Sequence, residues 1–313
     1  MKTKENLIKK SLPQLKSLLE SCRLCPRNCS LNRLKNKKGF CKTGLKPAVY
    51  SYAPHHGEEP PLSGNRGSGT IFFTHCNMAC VYCQNYKFSQ QSCEKEMTTD
   101  ELANLMLGLE RVGCHNINLV SPTHYVPQIV EALSVALKNG LKLPLVYNTG
   151  GYDSLEVIKL LDGIVDIYMP DMRYSDDAMA KKYSNAPNYV MHNRNSVLEM
   201  QRQVGDLKQD KKGIAMQGLI IRCLVLPENI SGIEKTLEFI SARVSKKAYI
   251  SLMSQYYPAH KARDIKEISR RLTADEYSIA VDKMKELGLA NGWVQSPPYE
   301  MDLRLAGHKI RPR

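Results

Sequence analysis

From about residue 69 onward, short β-branched and apolar runs alternate with stretches whose apolar residues recur every three or four positions, the pattern of βα units around a parallel sheet. The runs span 69–74, 116–121, 143–148, 164–169, 218–226 and 248–253. Between them the spacing predicts helices over 99–112, 127–139, 155–161, 193–203, 232–244 and 273–287. In the first of these, Leu102, Leu105, Met106 and Leu109 share one face behind an N-capping Thr-Asp pair. Six strands and six crossover helices are too few to close an eight-stranded barrel. They suit an open α/β fold, a partial (βα)6 TIM-like barrel whose active site faces the carboxyl ends of the strands.

Residues 1–68 read differently. An amphipathic helix, ENLIKKSLPQLKSLLES, is followed by a strand-poor, basic, cysteine-bearing stretch. Then comes SYAPHHGEEPPLSGNRGSG, whose Pro, Gly and Ser content predicts an ordered loop or linker feeding the first strand. The expected organisation is therefore a small N-terminal extension over 1–68 and a barrel over 69–313. A chain of 313 residues, 42% of them hydrophobic, is long enough for one sizeable core with such an appended unit. No apolar signal region opens the chain, and no stretch reaches the roughly 18 apolar residues of a membrane span. The expectation is a soluble cytoplasmic protein. The formal charge of +13, from 44 basic against 31 acidic residues, is spread in short lysine pairs without the aromatic-glycine pattern of an RNA-binding sheet. A solvated basic surface is the better reading than a nucleic-acid footprint.

A reducing compartment disfavours structural disulfides, so clustered cysteines point to metal or thiol chemistry. Cys76, Cys80 and Cys83, in HCNMACVYCQN directly after the first barrel strand, form C-x3-C-x2-C. Three thiolates on so short a loop can hold three corners of one [4Fe–4S] cubane and leave the fourth iron without a protein ligand. S-adenosylmethionine can chelate that open iron, so that an injected electron cleaves its carbon–sulfur bond and releases a 5'-deoxyadenosyl radical. Zinc structural sites want four closed ligands, which this triplet does not offer.

Cys22, Cys25, Cys29 and Cys41 make a second set, C-x2-C-x3-C-x11-C. Four thiolates close a site completely, and spacing leaves both a structural zinc and a second iron–sulfur cluster open; a segment too small for its own core favours a metal that helps it fold. Of the isolated cysteines Cys93, Cys114 and Cys223, the last two sit beside or within apolar runs and read as buried small hydrophobes. His55, His56, Glu58 and Glu59 precede the first barrel strand and are placed within reach of the barrel mouth.

On these motifs the chain resembles the radical S-adenosylmethionine superfamily. Within it, the chain is similar to pyruvate formate-lyase activating enzyme-like proteins with a cysteine-rich N-terminal extension, through CRLCPRNC, GFC, GEEPPLSG, CQN, NINLVSPTHY, YNTGGY, DIYMPDMRY and SLMSQYYP. The resemblance implies an activating-enzyme-like oxidoreductase that takes hydrogen from a substrate such as a glycine Cα of a glycyl radical enzyme. It also implies an electron donor such as flavodoxin or ferredoxin. In cofactor binding it assigns Tyr82 to the adenine, Asn148 and Gly150-Gly151 to close approach, and Asp171 and Arg173 to the ribose and methionyl carboxylate. The chain departs from the Gly-Gly-Glu that activases carry after the second strand, reading Ser121-Pro122-Thr123-His124 there. Two alternatives stay open: a radical enzyme acting on a small molecule or peptide, and a non-catalytic iron–sulfur or zinc protein that binds a partner.

Overall fold

The structure, a computed structural model, describes residues 3–91 and 95–296; Cys93 lies outside the described residues. Helix α1 (Lys4–Ser17) starts behind Thr3, whose side chain accepts from the Asn6 N–H. Strand β1 (Val49–His55) and the one-turn helix α2 (Pro60–Ser63) lead into β2 (Ser68–Phe73). After β2 come α3 (Tyr86–Ser89) and α4 (Thr99–Arg111), then β3 (Ile117–Val120) with α5 (Val126–Lys138). Strand β4 (Leu145–Thr149) is followed by α6 (Leu155–Leu160), and β5 (Ile167–Pro170) by α7 (Asp177–Ser184) and α8 (Tyr189–Val204). The two-residue β6 (Lys208–Gln209) precedes β7 (Ala215–Leu224) and α9 (Ile233–Phe239). Strand β8 (Tyr249–Met253), α10 (Ala274–Glu286) and β9 (Gly292–Val294) complete the described fold.

Strands β2, β3, β4, β5, β7, β8 and β9 are parallel neighbours in that order, joined by crossover helices, while β1 runs antiparallel to β2 at one edge. Among the described residues the two edge strands do not pair, so the sheet is an open partial barrel. All six predicted strands form. Residues 49–55, expected as linker, instead pair with β2 from Val49–Phe73 to His55–Ser68. Most of β1 is exposed, so no apolar alternation marks it, and Pro54 is tolerated because an edge strand can lack a donor. The three-residue β9 also escapes prediction. Helix α8 begins at Tyr189, four residues before the predicted start, because Asn188 takes a left-handed conformation (φ 54°) and ends the preceding turn.

Alternation along the strands sorts their side chains into two sets. Ile71, Leu119, Tyr147, Tyr168, Ile221 and Leu252 face the helices and belong to the main core. That core also takes in Ile8, Leu15, Leu18 and Leu19 of the N-terminal segment, and α1 packs on α5 and α6. Lys4–Asp166 and Lys16–Glu131 pairs, each 2.6 Å, flank this contact.

The other set faces the barrel lumen. Val146, Ile167, Met169 and Ile220 close on Leu62 of α2, which plugs the amino-terminal end. Polar positions also face inward: Asn118, Asn148, Asp171, Arg222 and Ser251 alternate with the helix-facing residues of their strands. Glu58 and Glu59 join them. They were expected at the mouth, but the chain ahead of a barrel strand lies at the strand's amino end, so they enter from the floor. The Glu58 side chain is 8% exposed and its Oε2 lies 3.9 Å from Arg222 Nη1. Glu59 is buried with Oε2 unpartnered, as are Asn118 Oδ1 and Ser251 Oγ. Burial, and after it the Glu59 carboxylate, push Glu58 up to about 7 against the pull of Arg222. His55 and His56 do not join this group; His55 packs edge-on against Phe72 and His56 is exposed. Among the described residues no helix is long and apolar enough to cross a membrane.

Two measurements test these contacts. Leu15→Ala should lower unfolding free energy by about 2–5 kcal/mol, the cost of a large-to-small change in a packed core, read by urea denaturation. A change within about 0.5 kcal/mol would show that α1 does not share the barrel core. The second concerns pH. Between Glu58's ordinary value of 4.5 and about 7, the folded chain holds a proton that the unfolded chain has lost, so stability falls as pH rises through that window. Glu58→Gln removes the ionisation. The variant should therefore gain roughly 2–3 kcal/mol relative to wild type between pH 5 and pH 8. Parallel stability curves for the two proteins would refute the assignment.

Candidate functional site

The loop that leaves the carboxyl end of β2 carries Cys76, Cys80 and Cys83. It turns at His75, which sits in the left-handed region (φ 65°), an uncommon conformation for a residue with a Cβ. Backbone hydrogen bonds pin it to the end of α7: the Ala79 N–H donates to the Ser184 carbonyl at 3.0 Å and the Val81 N–H to that of Tyr183 at 2.9 Å. Every thiol of the triplet has a polar neighbour. Cys80 Sγ accepts from Ser184 Oγ at 3.0 Å and from Arg173 Nη1 at 3.7 Å. Cys76 Sγ accepts from the Met78 N–H at 3.4 Å, and Cys83 Sγ lies 3.2 Å from Ser89 Oγ.

Burial, then the neighbouring Cys80, pushes the Cys76 thiol up to about 12, and the same two causes raise Cys83. Thiols raised in this way give up their protons to a cation that holds the sulfur, and iron coordination supplies one. Among the described residues no three Cys, His, Asp or Glu side chains converge on one ion. Three thiolates on one loop suit a cluster that keeps one iron open better than a structural zinc, which wants four ligands. The N–H and O–H groups around the sulfurs are of the kind that tune such a cluster. The residues present therefore fit a [4Fe–4S] cluster on this loop.

Across from the loop, Asp171 follows β5 and is 4% exposed. Its carboxylate accepts from Arg173 Nη2, and from Arg222 Nε at 2.7 Å. Burial alone would raise this carboxyl; the Arg173 and Arg222 guanidiniums overcome that and hold it below the ordinary carboxylate range. Arg173 is only 23% exposed and its Nε has no partner, so the pair is an interior feature and not a surface salt bridge. Its Nη1 aims at Cys80, which joins the predicted Asp171-Arg173 pair to the cysteine loop.

Asn148 ends β4 facing the lumen, and its carbonyl accepts from the Ser121 N–H at 2.9 Å. Gly151 needs its glycine: φ is 75°, and a Cβ would lie 2.2 Å from the Asp171 carbonyl. Tyr82 is enclosed among tyrosines, its hydroxyl 2.6 Å from that of Tyr174 and its ring edge-on to Tyr256. His124 does not face the lumen. It is 1% exposed, its Nε2 is bonded to the Thr74 carbonyl at 2.9 Å, and its Nδ1 is unpartnered.

Several site residues were not singled out from sequence. The Tyr189 hydroxyl lies 3.0 Å from both the Gly150 and Asp171 carbonyls and accepts from the Arg173 N–H, and Asn193 Nδ2 donates to the Gly151 and Asp171 carbonyls. These two residues, four apart on α8, clamp the loops after β4 and β5. Arg222 carries a signal that can be read, since a charged side chain inside the apolar run LIIRCLVL has to face a polar lumen. Cys22, Cys25, Cys29 and Cys41 line one pocket that His124 helps to wall. Arg27 spans from it to the barrel loop, donating from Nε to the Asn77 carbonyl at 3.0 Å.

Comparison with known proteins bears on the family and the fold. An uncharacterized protein of Methanocaldococcus jannaschii is 31% identical over 298 residues, spanning 91% of this chain and 80% of that protein. Among solved structures, SuiB of Streptococcus suis has a similar fold, with a TM-score of 0.50 at 10% identity over 71% of this chain. This chain covers 47% of SuiB, about half its length, and the likeness concerns the fold alone. The family model described as the radical SAM superfamily matches residues 70–240, more than half of the sequence and the part that holds both the cysteine loop and the Asp171 pair. Membership implies a [4Fe–4S] cluster, S-adenosylmethionine and an enzyme that generates a 5'-deoxyadenosyl radical. The chain belongs to the radical SAM superfamily.

Proposed function

We propose that Cys76, Cys80 and Cys83 ligate the cluster and that this protein abstracts hydrogen from a glycine Cα presented by a partner protein, as an activating-enzyme-like oxidoreductase. One observation supports the reading above the others: Arg173, oriented by buried Asp171, points at Cys80 from a site with an unpartnered buried Nε. When bound, the cluster and S-adenosylmethionine supply reductive cleavage to methionine and a 5'-deoxyadenosyl radical. Arg173 offers its remaining N–H groups to the cofactor's carboxylate. Asp171 fixes the guanidinium, Asn148 and the Gly150-Gly151 backbone lie alongside, and Tyr82 stiffens the loop from behind.

The lumen supports a substrate that inserts donors. Glu59 Oε2, Asn118 Oδ1 and Ser251 Oγ are buried without partners, and the backbone N–H groups of a glycine-bearing loop would satisfy them. A second reading has one observation of its own. Glu58 and Glu59 lie together in the lumen, Glu59 raising the cost of ionising Glu58, and a small molecule or peptide carrying an ammonium group would favour both carboxylates. The net charge of +13 suits a small acidic electron donor such as flavodoxin or ferredoxin.

Anaerobically reconstituted protein, reduced with dithionite in the presence of S-adenosylmethionine, should form 5'-deoxyadenosine and methionine in equal amounts, and Cys80→Ala should bring both to background. Undiminished cleavage in that variant would remove the loop from the reaction. Arg173→Ala should weaken S-adenosylmethionine binding by roughly 2–5 kcal/mol, the range for removing one partner of a desolvated charge pair. A loss under about 1 kcal/mol by calorimetry, the value of an exposed pair, would count against the carboxylate role.

A further inference from the structure

The barrel loop does not use the four N-terminal cysteines, and the structure constrains what they can hold. Cys22, Cys25 and Cys41 are buried and Cys29 is half-buried, and all four line one pocket. Its other walls include Leu24, Leu31 and Gly39, with no carboxylate among the lining residues. A mononuclear zinc would draw its sulfurs to within about 4 Å of one another, given Zn–S bonds of about 2.3 Å in a tetrahedron. Four thiolates complete a cubane equally well, and the iron and sulfide that load the barrel loop are at hand for this pocket too.

The backbone has also been cleared for a sulfur. A Cβ on Gly39 would lie 2.9 Å from Cys29 Sγ and 3.0 Å from Leu31 Cδ2, so a side chain here would push the thiol out of its present place.

Charge points the same way. Arg33 is 1% exposed, and its three nitrogens donate to backbone carbonyls: Nε and Nη2 to Gly44, Nη1 to His124. Those bonds satisfy its donors but do not neutralise it, and an anionic cluster beside it would. Arg27 lies over the Phe40 ring at 3.6 Å and within electrostatic reach of Cys25 and Cys29 on one side and Cys76 on the other. Leu18, Leu19, Cys22 and Leu24 belong to the barrel's main core, so the pocket is fixed to the barrel.

We propose that Cys22, Cys25, Cys29 and Cys41 hold a second [4Fe–4S] cluster, fully ligated by thiolates and set against the reactive loops of the barrel with Arg27 between the two cysteine sets. The comparison with the barrel loop rests on the function proposed above; the site itself does not.

The test removes the other cluster. Full-length protein with Cys76→Ala, Cys80→Ala and Cys83→Ala is reconstituted anaerobically with iron and sulfide, and iron, sulfide and zinc are counted. The expected result is one cubane's complement of iron and sulfide per chain, half the wild-type content, with the electron paramagnetic resonance signal of a reduced cubane after dithionite. Adding Cys25→Ser and Cys29→Ser should remove both the iron and the signal while the thermal midpoint stays measurable. A triple variant without iron, or one that carries stoichiometric zinc as purified and takes up no sulfide, would overturn the proposal. The outcomes separate the two readings. Wild-type cleavage of S-adenosylmethionine with an iron-free triple variant refutes only the second cluster, whereas an iron-loaded triple variant beside an inactive wild type refutes only the barrel chemistry.

Discussion

A single carboxylate joins the two halves of the candidate site. Asp171 is buried at the end of β5, and it stays ionised because Arg173 and Arg222 each donate to it. Removing one partner of a buried pair of this kind costs roughly 3–5 kcal/mol, since it strands the other charge away from water. Through Arg173 the carboxylate reaches Cys80 and the cysteine loop; through Arg222 it reaches Glu58 and the floor of the lumen. Its backbone is held as firmly as its side chain. The Asp171 N–H donates to the Thr149 carbonyl at 2.9 Å, and its own carbonyl accepts from Asn193. The geometry at the barrel's open end is therefore set by electrostatics and hydrogen bonds in a desolvated place, where small displacements are costly.

The lumen divides into an apolar floor and a polar body, and each has a different task. Leu62 from α2 closes on Val146, Ile167 and Ile220, which excludes water from below. The strand positions that come next are polar and incompletely bonded. Buried oxygens without a bonding partner cost free energy, about 1–3 kcal/mol each, unless water or a ligand bonds them. In this chain Glu59, Asn118 and Ser251 carry that cost together.

The parallel strands were legible because strands covered on both faces are apolar at most positions, as in the runs at 69–74 and 218–226, where alternation is not needed to see them. Strand β1 was not, since residues 50–54 are exposed on both of its faces and its stability comes from backbone pairing with β2. The cysteine triplet could be read because its spacing encodes chemistry. His124 could not: a histidine after a strand carries no sign of whether it turns to the lumen or, as here, towards Thr74 and the N-terminal pocket. The position of Glu58 and Glu59 was available but misread, because residues immediately ahead of a strand must lie at its amino end and cannot line the mouth. Tyr189 and Asn193 depend on tertiary contact between α8 and two loops distant in sequence, and nothing local signals it.

The N-terminal segment shows why a small cysteine-rich unit need not be a separate module. A segment that folds only around its metal should have few apolar contacts with the rest of the chain. Here Ile8, Leu15 and Leu18 pack into the barrel's core, Gln128 Nε2 on α5 donates to the Leu45 carbonyl at 2.6 Å, and Arg33 reaches the carbonyl of His124. These contacts fix the four thiols relative to the loop after β3. Burying Arg33 without a bonded carboxylate is expensive, and carbonyl acceptors offset only part of the desolvation cost. Such a cost is tolerable if the fold must hold a positive charge beside a site that becomes negative when loaded. The same logic applies to Arg27, which is fixed to the Asn77 carbonyl and lies under the field of cysteines from both sets. Two guanidiniums bonded to carbonyls, beside four thiols that line one pocket, make the segment an electrostatic extension of the barrel's reactive end.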